Sequence, residues 1–181
     1  MATPELESIR PLKRSEYDAL IAQGAFENER IELIDGALVY MSPVKEPHNQ
    51  SVTALTELLV LALAGRAWVR PQCSFAASEL SEPEPDLCVV PRDKPEGLPE
   101  VALLVIEVAE SSLAFDRGRK ARLYAESAIP EYWVVNLREG VVEVHSDPAS
   151  GHYRKLVSVG PGERITLVAF PDVSLSVDAF F

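Results

Sequence analysis

Apolar residues recur along the chain with two different spacings, which predict helices in some stretches and strands in others. Between Pro47 and Ala64 they stand three or four positions apart, the period of an amphipathic helix, at Val52, Leu55, Leu59 and Leu63. A shorter stretch, Ser15–Gln23, begins with a residue that can cap a helix and is followed by Gly24, which can end it. A third helix is predicted from about Ala114 to Ser127, after two serines that can cap it.

The other apolar runs are short and bounded by turn residues, as strands are. In RIELIDGALVYM, the pair Asp35-Gly36 predicts a hairpin, because a type I′ turn needs positive φ at both central residues. Further strands are predicted at Ala67–Ala76, Asp86–Val90, Val101–Ala109, Glu131–Leu137, Gly140–His145, Tyr153–Val159 and Arg164–Leu167. We expect the strands flanking the polar connection Pro91–Glu100 to form one long hairpin, and the last two strands to form another across Gly160-Pro161-Gly162. The elements predict an α/β (α+β) fold with a mixed sheet.

Composition narrows the class of protein. The chain has 181 residues, of which 47% are hydrophobic and 25% charged, and no linker divides it, so we expect one domain over residues 1–181. Cys73 and Cys88 are too few for a disulfide framework or a zinc site. The longest apolar run, Leu58–Ala64, is too short to span a membrane, and MATPELESIR lacks the apolar core of a secretion signal. We therefore expect a cytoplasmic protein with no membrane partner.

The charge balance limits the partners. Lysine and arginine number 17 against 28 acidic residues, which gives a net charge of −11. A broad nucleic-acid-binding surface normally shows a basic excess, so this composition weighs against one. A small site in which a metal ion neutralises the charge stays compatible with it.

Two carboxylates stand within or beside apolar runs. Glu107 lies inside VALLVIEVA, a run apolar enough to be buried on both faces, where a carboxylate is costly unless it lies at the end of the strand and faces water. Asp86 follows Pro85 at the start of DLCVV, and taken alone such a residue is more often part of a turn or the start of a strand. If these strands pair antiparallel with Val90 opposite Leu103, then Asp86 lies opposite Glu107. Opposed side chains share a face about 5 Å apart at Cβ. Carboxylates this close share a proton or bind a divalent cation, and we favour the cation.

The segment SSLAFDRGRKARLYAES adds a third candidate element. Asp116, Lys120 and Tyr124 are spaced i, i+4, i+8 and share one helix face. The helix follows the strand of Glu107, so it can bring the Lys120 ammonium back to the carboxylates. For the neighbouring arginines we favour a solvated face with ion pairs within the helix.

Together these motifs resemble the PD-(D/E)XK nuclease superfamily, and most closely its bacterial branch of uncharacterised restriction endonucleases. The resemblance runs through IELIDGALVYMSP, His48, Pro85-Asp86, IEVAESS, the Asp116/Lys120/Tyr124 face and IPEYWVVNL. The Glu-X-Lys of the superfamily would require lysine at position 109, where this chain has Ala109. The branch it resembles also lacks that lysine and uses one from the following helix, here Lys120.

The resemblance implies a restriction-endonuclease-like mixed central sheet flanked by helices, with additional N- and C-terminal β-hairpins. It implies that Asp86 and Glu107 bind Mg²⁺ or Mn²⁺, with the Val108 carbonyl as a third ligand, and that Lys120 orients the attacking water or stabilises the transition state. Glu32 would complete the metal shell or position water, or else would be an exposed hairpin carboxylate. The second-tier candidates are His48, Gln72, Asp116 and Tyr124, of which Tyr124 either packs or holds Asp116.

The function this implies is Mg²⁺-dependent hydrolysis of nucleic-acid phosphodiester bonds, with DNA as the expected substrate. Two other functions stay open: a catalytically degenerate adaptor that binds nucleic acid or protein, and a metal-dependent hydrolase of small phosphate esters. We expect a homodimer, because cutting both DNA strands commonly takes two sites and VSLSVDAFF ends in two phenylalanines. We expect Lys120→Met to affect stability only as a surface change does.

Overall fold

The computed structural model describes residues 10–93 and 97–181. Most of the N-terminal segment in which we found no secretion signal (residues 1–9) and part of the predicted polar connection (residues 94–96) lie outside the described residues. The elements are, in order, α1 (Arg14–Ala22), β1 (Ile31–Ile34), β2 (Ala37–Tyr40), α2 (Glu46–Leu63), β3 (Ala67–Pro71), β4 (Leu87–Pro91), β5 (Leu104–Ala109), α3 (Leu113–Phe115), a π-helical segment (Asp116–Lys120), α4 (Ala121–Glu126), β6 (Glu131–Asn136), β7 (Val141–Ala149), β8 (His152–Val159), β9 (Arg164–Thr166), β10 (Ser174–Ser176) and a final 3₁₀ helix (Val177–Phe180). No described helix is long and apolar enough to cross a membrane.

A six-stranded sheet with the order β3-β4-β5-β6-β7-β8 forms the centre of the fold. Only β5 and β6 pair in parallel, because α3, the π-helical segment and α4 cross over between them, and every other neighbouring pair is antiparallel. The core on one face of the sheet includes the apolar side of α2 and the C-terminal residues, and the core on the other face includes α4. The predicted mixed sheet with flanking helices is confirmed.

Two of the predicted hairpins are confirmed. β1 and β2 pair across Asp35-Gly36, whose φ angles of 50° and 76° fit a type I′ turn. β4 and β5 pair antiparallel in the predicted register, with Leu87 opposite Ile106 and Val89 opposite Leu104. One further step along this register brings Asp86 opposite Glu107.

The predicted hairpin between Tyr153–Val159 and Arg164–Leu167 is wrong. β8 pairs with β7, while β9 pairs with β10 in a separate C-terminal hairpin. β7 continues to Ala149, and Ser150 and Gly151 then adopt φ angles of 51° and 76°, which closes a tight two-residue connection. That connection lets β7 and β8 pair along nearly their whole length.

Other predicted strand ends also differ. β3 ends at Pro71 rather than Ala76, since Gln72 adopts a φ of 47° that no regular strand continues. β5 begins at Leu104 rather than Val101.

The C-terminal residues contribute to the core. Phe180 is buried and stacks on the fully buried Trp133, with ring centroids 6.0 Å apart, whereas Phe181 is half exposed. One of the two terminal phenylalanines is therefore covered within the chain itself. Cys73 and Cys88 are both free thiols; Cys88 is buried in β4, whereas Cys73 lies beyond the end of β3.

Candidate active site

A cavity of about 390 Å³ opens where β5 ends, between the N-terminal hairpin, the start of α2 and the start of α3. The segment from Val39 to Lys45 forms one of its walls. Its charged lining consists of Glu32, Glu84, Asp86, Glu107, Glu110 and Asp116 on the acidic side and Arg30, Lys45 and Lys120 on the basic side. The carboxylates outnumber the cationic side chains, so the cavity attracts cations and repels an unneutralised phosphate.

Asp86 lies just before β4 and is held from two directions. Its Oδ2 accepts a hydrogen bond from the Val108 backbone N–H at 2.8 Å, and its Oδ1 lies 3.0 Å from His48 Nε2. Because the N–H and the carbonyl of a strand residue point to the same neighbouring strand, the Val108 carbonyl is directed towards the side of Asp86. Burial lowers the pKa of His48, but the hydrogen bond and charge of Asp86 outweigh burial and raise it.

Glu107 lies on the face of β5 that packs against the crossover helix, and 5% of it is exposed. Its Oε1 accepts hydrogen bonds from Lys120 Nζ at 2.9 Å and from the Tyr124 hydroxyl at 2.7 Å. Burial raises the pKa of Glu107 to about 8, Lys120 opposes this shift, and the carboxylates of Asp116, Asp86 and Glu32 add to it. The ammonium that contacts Glu107 therefore comes from the crossover helix, whereas position 109, on the same strand as Glu107, is a fully buried alanine.

Lys120 is enclosed by carboxylates. Its Nζ also lies 3.2 Å from Glu32 Oε1, and only 5% of the residue is exposed. Burial alone would lower the pKa of Lys120, but Glu107, Glu32 and Asp116 raise it, so the ammonium stays charged. Glu32 is itself buried, and its Oε2 accepts the Glu84 backbone N–H at 3.2 Å. The alternative of an exposed hairpin carboxylate at Glu32 is therefore wrong, as is the expectation that Lys120 behaves as a surface residue.

The π-helical segment carries both Asp116 and Lys120. Gly118, a poor helix former, lies at its centre, and wider turns of this kind recur at functional sites. Burial raises the pKa of Asp116, Lys120 lowers it, and the other cavity carboxylates raise it further.

The arginines of this helix lie outside the cavity lining and pair mainly with other elements rather than within the helix. Arg117 binds Glu143 on β7, with 2.8 Å between Nε and Oε2, and Arg119 and Arg122 both reach Asp35 in the β1–β2 turn. Only Arg122 also pairs within the helix, with Glu126 at 3.6 Å. These contacts tie the crossover helix to the sheet and to the N-terminal hairpin.

Most of the predicted site residues surround one cavity, but not all. His48 and Asp116 line it, and the buried Tyr124 donates its hydroxyl to Glu107, so the expectation that it holds Asp116 is wrong. Gln72 is exposed and lies outside the cavity lining, where its backbone N–H bonds the Asp86 carbonyl.

The predicted site residues do not include several residues that line the cavity, among them Arg30, Tyr40, Glu84 and Glu110. One signal for Glu84 was available, because it stands two residues before Asp86 and therefore shares its face in extended chain. No local pattern marks the other three.

The donor set suits a hard divalent cation. Among residues 10–93 and 97–181, no three histidine, cysteine, aspartate or glutamate side chains are arranged to hold a metal ion by themselves. Mg²⁺ does not require such a cage, because it usually binds through one or two carboxylates and keeps waters and substrate oxygens as its other ligands. Asp86, Glu107 and the Val108 carbonyl offer oxygen donors of this kind.

Two adjacent strands of the mixed sheet bring two acidic residues to the cavity, and the next helix brings an ammonium. This arrangement on such a sheet is typical of the restriction-endonuclease-like class of nuclease folds. The chain belongs to the Uma2 family, described as "Putative restriction endonuclease", whose family model matches residues 14–178. Its fold is similar to the crystal structure of a "putative nuclease" of the DUF820 group from Anabaena variabilis, with a TM-score of 0.75 at 14% identity over 94% of this chain and 98% of that one. A comparison with curated protein sequences found no significant match.

Proposed function

We propose that the chain is a Mg²⁺- or Mn²⁺-dependent endonuclease that hydrolyses nucleic-acid phosphodiester bonds at the cavity beside β5. The observation that carries this proposal is the convergence of Asp86, Glu107 and Lys120 in a cavity with an excess of carboxylates. Such a cavity accepts a phosphodiester only when a cation compensates the negative charge. The family assignment supports the same reaction class.

In this proposal Asp86 and Glu107, with the Val108 carbonyl, hold the cation. When bound, the ion supplies the positive charge that activates water and stabilises the charge developing on the scissile phosphate. His48 and the Val108 N–H fix the orientation of the Asp86 carboxylate. Tyr124 does the same for Glu107.

Lys120 acts on the reacting atoms through its remaining donor. An ammonium has three N–H groups, of which Glu107 and Glu32 take two among the described residues. The third donates to the attacking water or to a phosphate oxygen. Glu32 holds the ammonium in place rather than touching substrate.

The test is cleavage of labelled DNA and RNA, single-stranded and duplex, with Mg²⁺, with Mn²⁺ and with a chelator. We expect metal-dependent cleavage that Asp86→Asn lowers by about two orders of magnitude or more, the scale of losing a charge-stabilising group at the reacting centre. Glu57→Gln, on an exposed turn of α2, is the matched control and retains wild-type rates. Wild-type cleavage no faster than that of Asp86→Asn on every substrate would contradict the proposal and favour the adaptor.

Two observations favour a second candidate, a hydrolase of small phosphate esters. The cavity has the size of a small-molecule site, and the net charge of −11 repels a polyanion. Hydrolysis of a chromogenic phosphate diester without cleavage of any oligonucleotide would establish it. The homodimer stays a prediction, which the mass from light scattering tests.

A further inference from the structure

The proposed reacting groups lie deep in the cavity. The side chains of Glu107 and Lys120 are each 6% exposed, and that of Asp86 13%. The scissile phosphate must therefore enter the cavity to reach them. A cavity of about 390 Å³ holds a ligand of small-molecule size, whereas a B-form duplex presents its phosphates on a broad rod.

The cationic side chains of the lining differ in their ion pairing. Lys120 pairs with Glu32 and Glu107, and Lys45 pairs with Glu110 at 3.1 Å. Arg30 makes no ion pair with any residue in the described part of the chain, although its charge acts on both His48 and Glu84. An exposed guanidinium at the rim of an acidic cavity is placed to bind phosphate, which it can grip with two parallel hydrogen bonds.

An aromatic residue of the N-terminal hairpin is also placed at the cavity. Tyr40, at the end of β2, lines the cavity and is 73% exposed. Its hydroxyl donates to Glu29 at 2.6 Å, which fixes the ring, and no other aromatic ring within the described ranges stacks on it. Exposed aromatic rings beside a strand path bind unpaired bases by stacking, whichever the base.

We infer that the substrate is single-stranded nucleic acid, DNA or RNA, bound with one phosphate on Arg30 and one base stacked on Tyr40. This inference rests on the proposed function and specifies its substrate class. Arg30 neutralises the charge of the phosphate next to the scissile one. Stacking on Tyr40 requires that the base be unpaired. The overall charge favours the same class, because a single strand brings fewer phosphates to an acidic protein than a duplex does.

The experiment measures binding of the full chain to fluorescent oligonucleotides of about 12 nucleotides, the size range of single-strand sites. Oligo-dT, oligo-rU and a DNA duplex are compared by anisotropy in Mn²⁺ over a range of salt concentrations, with cleavage rates followed in parallel. We expect the single strands to bind more tightly than the duplex. The dT and rU arms decide between DNA and RNA.

The variants separate the two contacts. Arg30→Gln removes one phosphate contact, so the slope of log K against log salt falls by about 0.7 on single strands. Tyr40→Ala weakens binding by about 5- to 150-fold, and Tyr40→Phe, which keeps the ring, binds nearly as tightly as wild type. Lys155→Gln, an exposed charge on β8, changes neither quantity beyond the general effect of net charge.

Tighter binding of the duplex, or an Arg30→Gln slope equal to that of Lys155→Gln, would overturn the inference while leaving a cleaving enzyme intact. A wild-type protein that neither binds nor cuts any oligonucleotide would remove the proposed function, and this inference with it.

Discussion

Replacing Lys120 by methionine tests how the centre of the site is held together. The variant keeps most of the aliphatic stem but removes the ammonium that Glu32 and Glu107 share at 3.2 and 2.9 Å. Breaking a buried ion pair by removing one partner costs about 3–5 kcal/mol, because the remaining charge stays desolvated. For a chain of this length that corresponds to a melting temperature lower by roughly 6–20 °C.

The assay is thermal and urea unfolding of wild type and variant at several pH values. Glu107 already has its pKa raised to about 8, chiefly by burial, and losing Lys120 removes the positive charge that opposes this shift. The unpaired carboxylate takes up its proton at a higher pH than the paired one, so the destabilisation grows as the pH rises above about 8 and is smaller near pH 6 than near pH 9. Lys155→Met, an exposed lysine on β8, is the control and stays within about 0.5 kcal/mol of wild type.

A second variant separates electrostatics from packing. Adding Glu107→Gln to Lys120→Met removes one of the two carboxylates left without a cationic partner and recovers part of the lost stability. The double-mutant cycle measures the coupling energy between Glu107 and Lys120. A Lys120→Met loss no larger than that of Lys155→Met, or an equal loss at both pH values, would refute the picture of a buried ion-pair centre.

Three further outcomes are expected. Mn²⁺ at about 100 times its Kd raises the unfolding free energy of wild type by about 2.7 kcal/mol and that of Asp86→Asn far less. Differential scanning fluorimetry measures the corresponding shifts in melting temperature, and equal shifts in the two proteins would indicate non-specific binding. Without metal, Glu107 contributes a stability that is full below its ordinary pKa near 4.5 and is lost as the pH rises through about 8. Glu107→Gln therefore flattens the decline of the unfolding free energy between those pH values, as urea titrations would measure. An unchanged decline would assign it to other groups. Phe180→Ala costs about 3–5 kcal/mol in urea unfolding because it empties a buried site, and Phe181→Ala costs less than about 1; similar losses would contradict the packing.

The sequence by itself determined the local elements and one crucial register. Apolar periodicity and a positive-φ dipeptide predicted α2 and the β1–β2 hairpin, because both depend on neighbouring residues. The pairing of β4 with β5 was also predictable. Each strand carries an apolar run and a carboxylate near one end. Few registers bury both apolar runs and also place the two carboxylates side by side.

Only the tertiary structure decided which distant side chains meet. β8 pairs with β7 and not with β9 because the two-residue connection Ser150-Gly151 turns the chain back on β7, while the C-terminal residues that pack on the core bring β9 against β10. The contact of Lys120 with Glu32 joins residues 88 positions apart, since it arises where the crossover helix packs over the N-terminal hairpin. Arg30 and Tyr40 line the cavity for the same reason, since their hairpin packs over the end of β5 and no local sequence pattern determines how one layer of the fold lies on another.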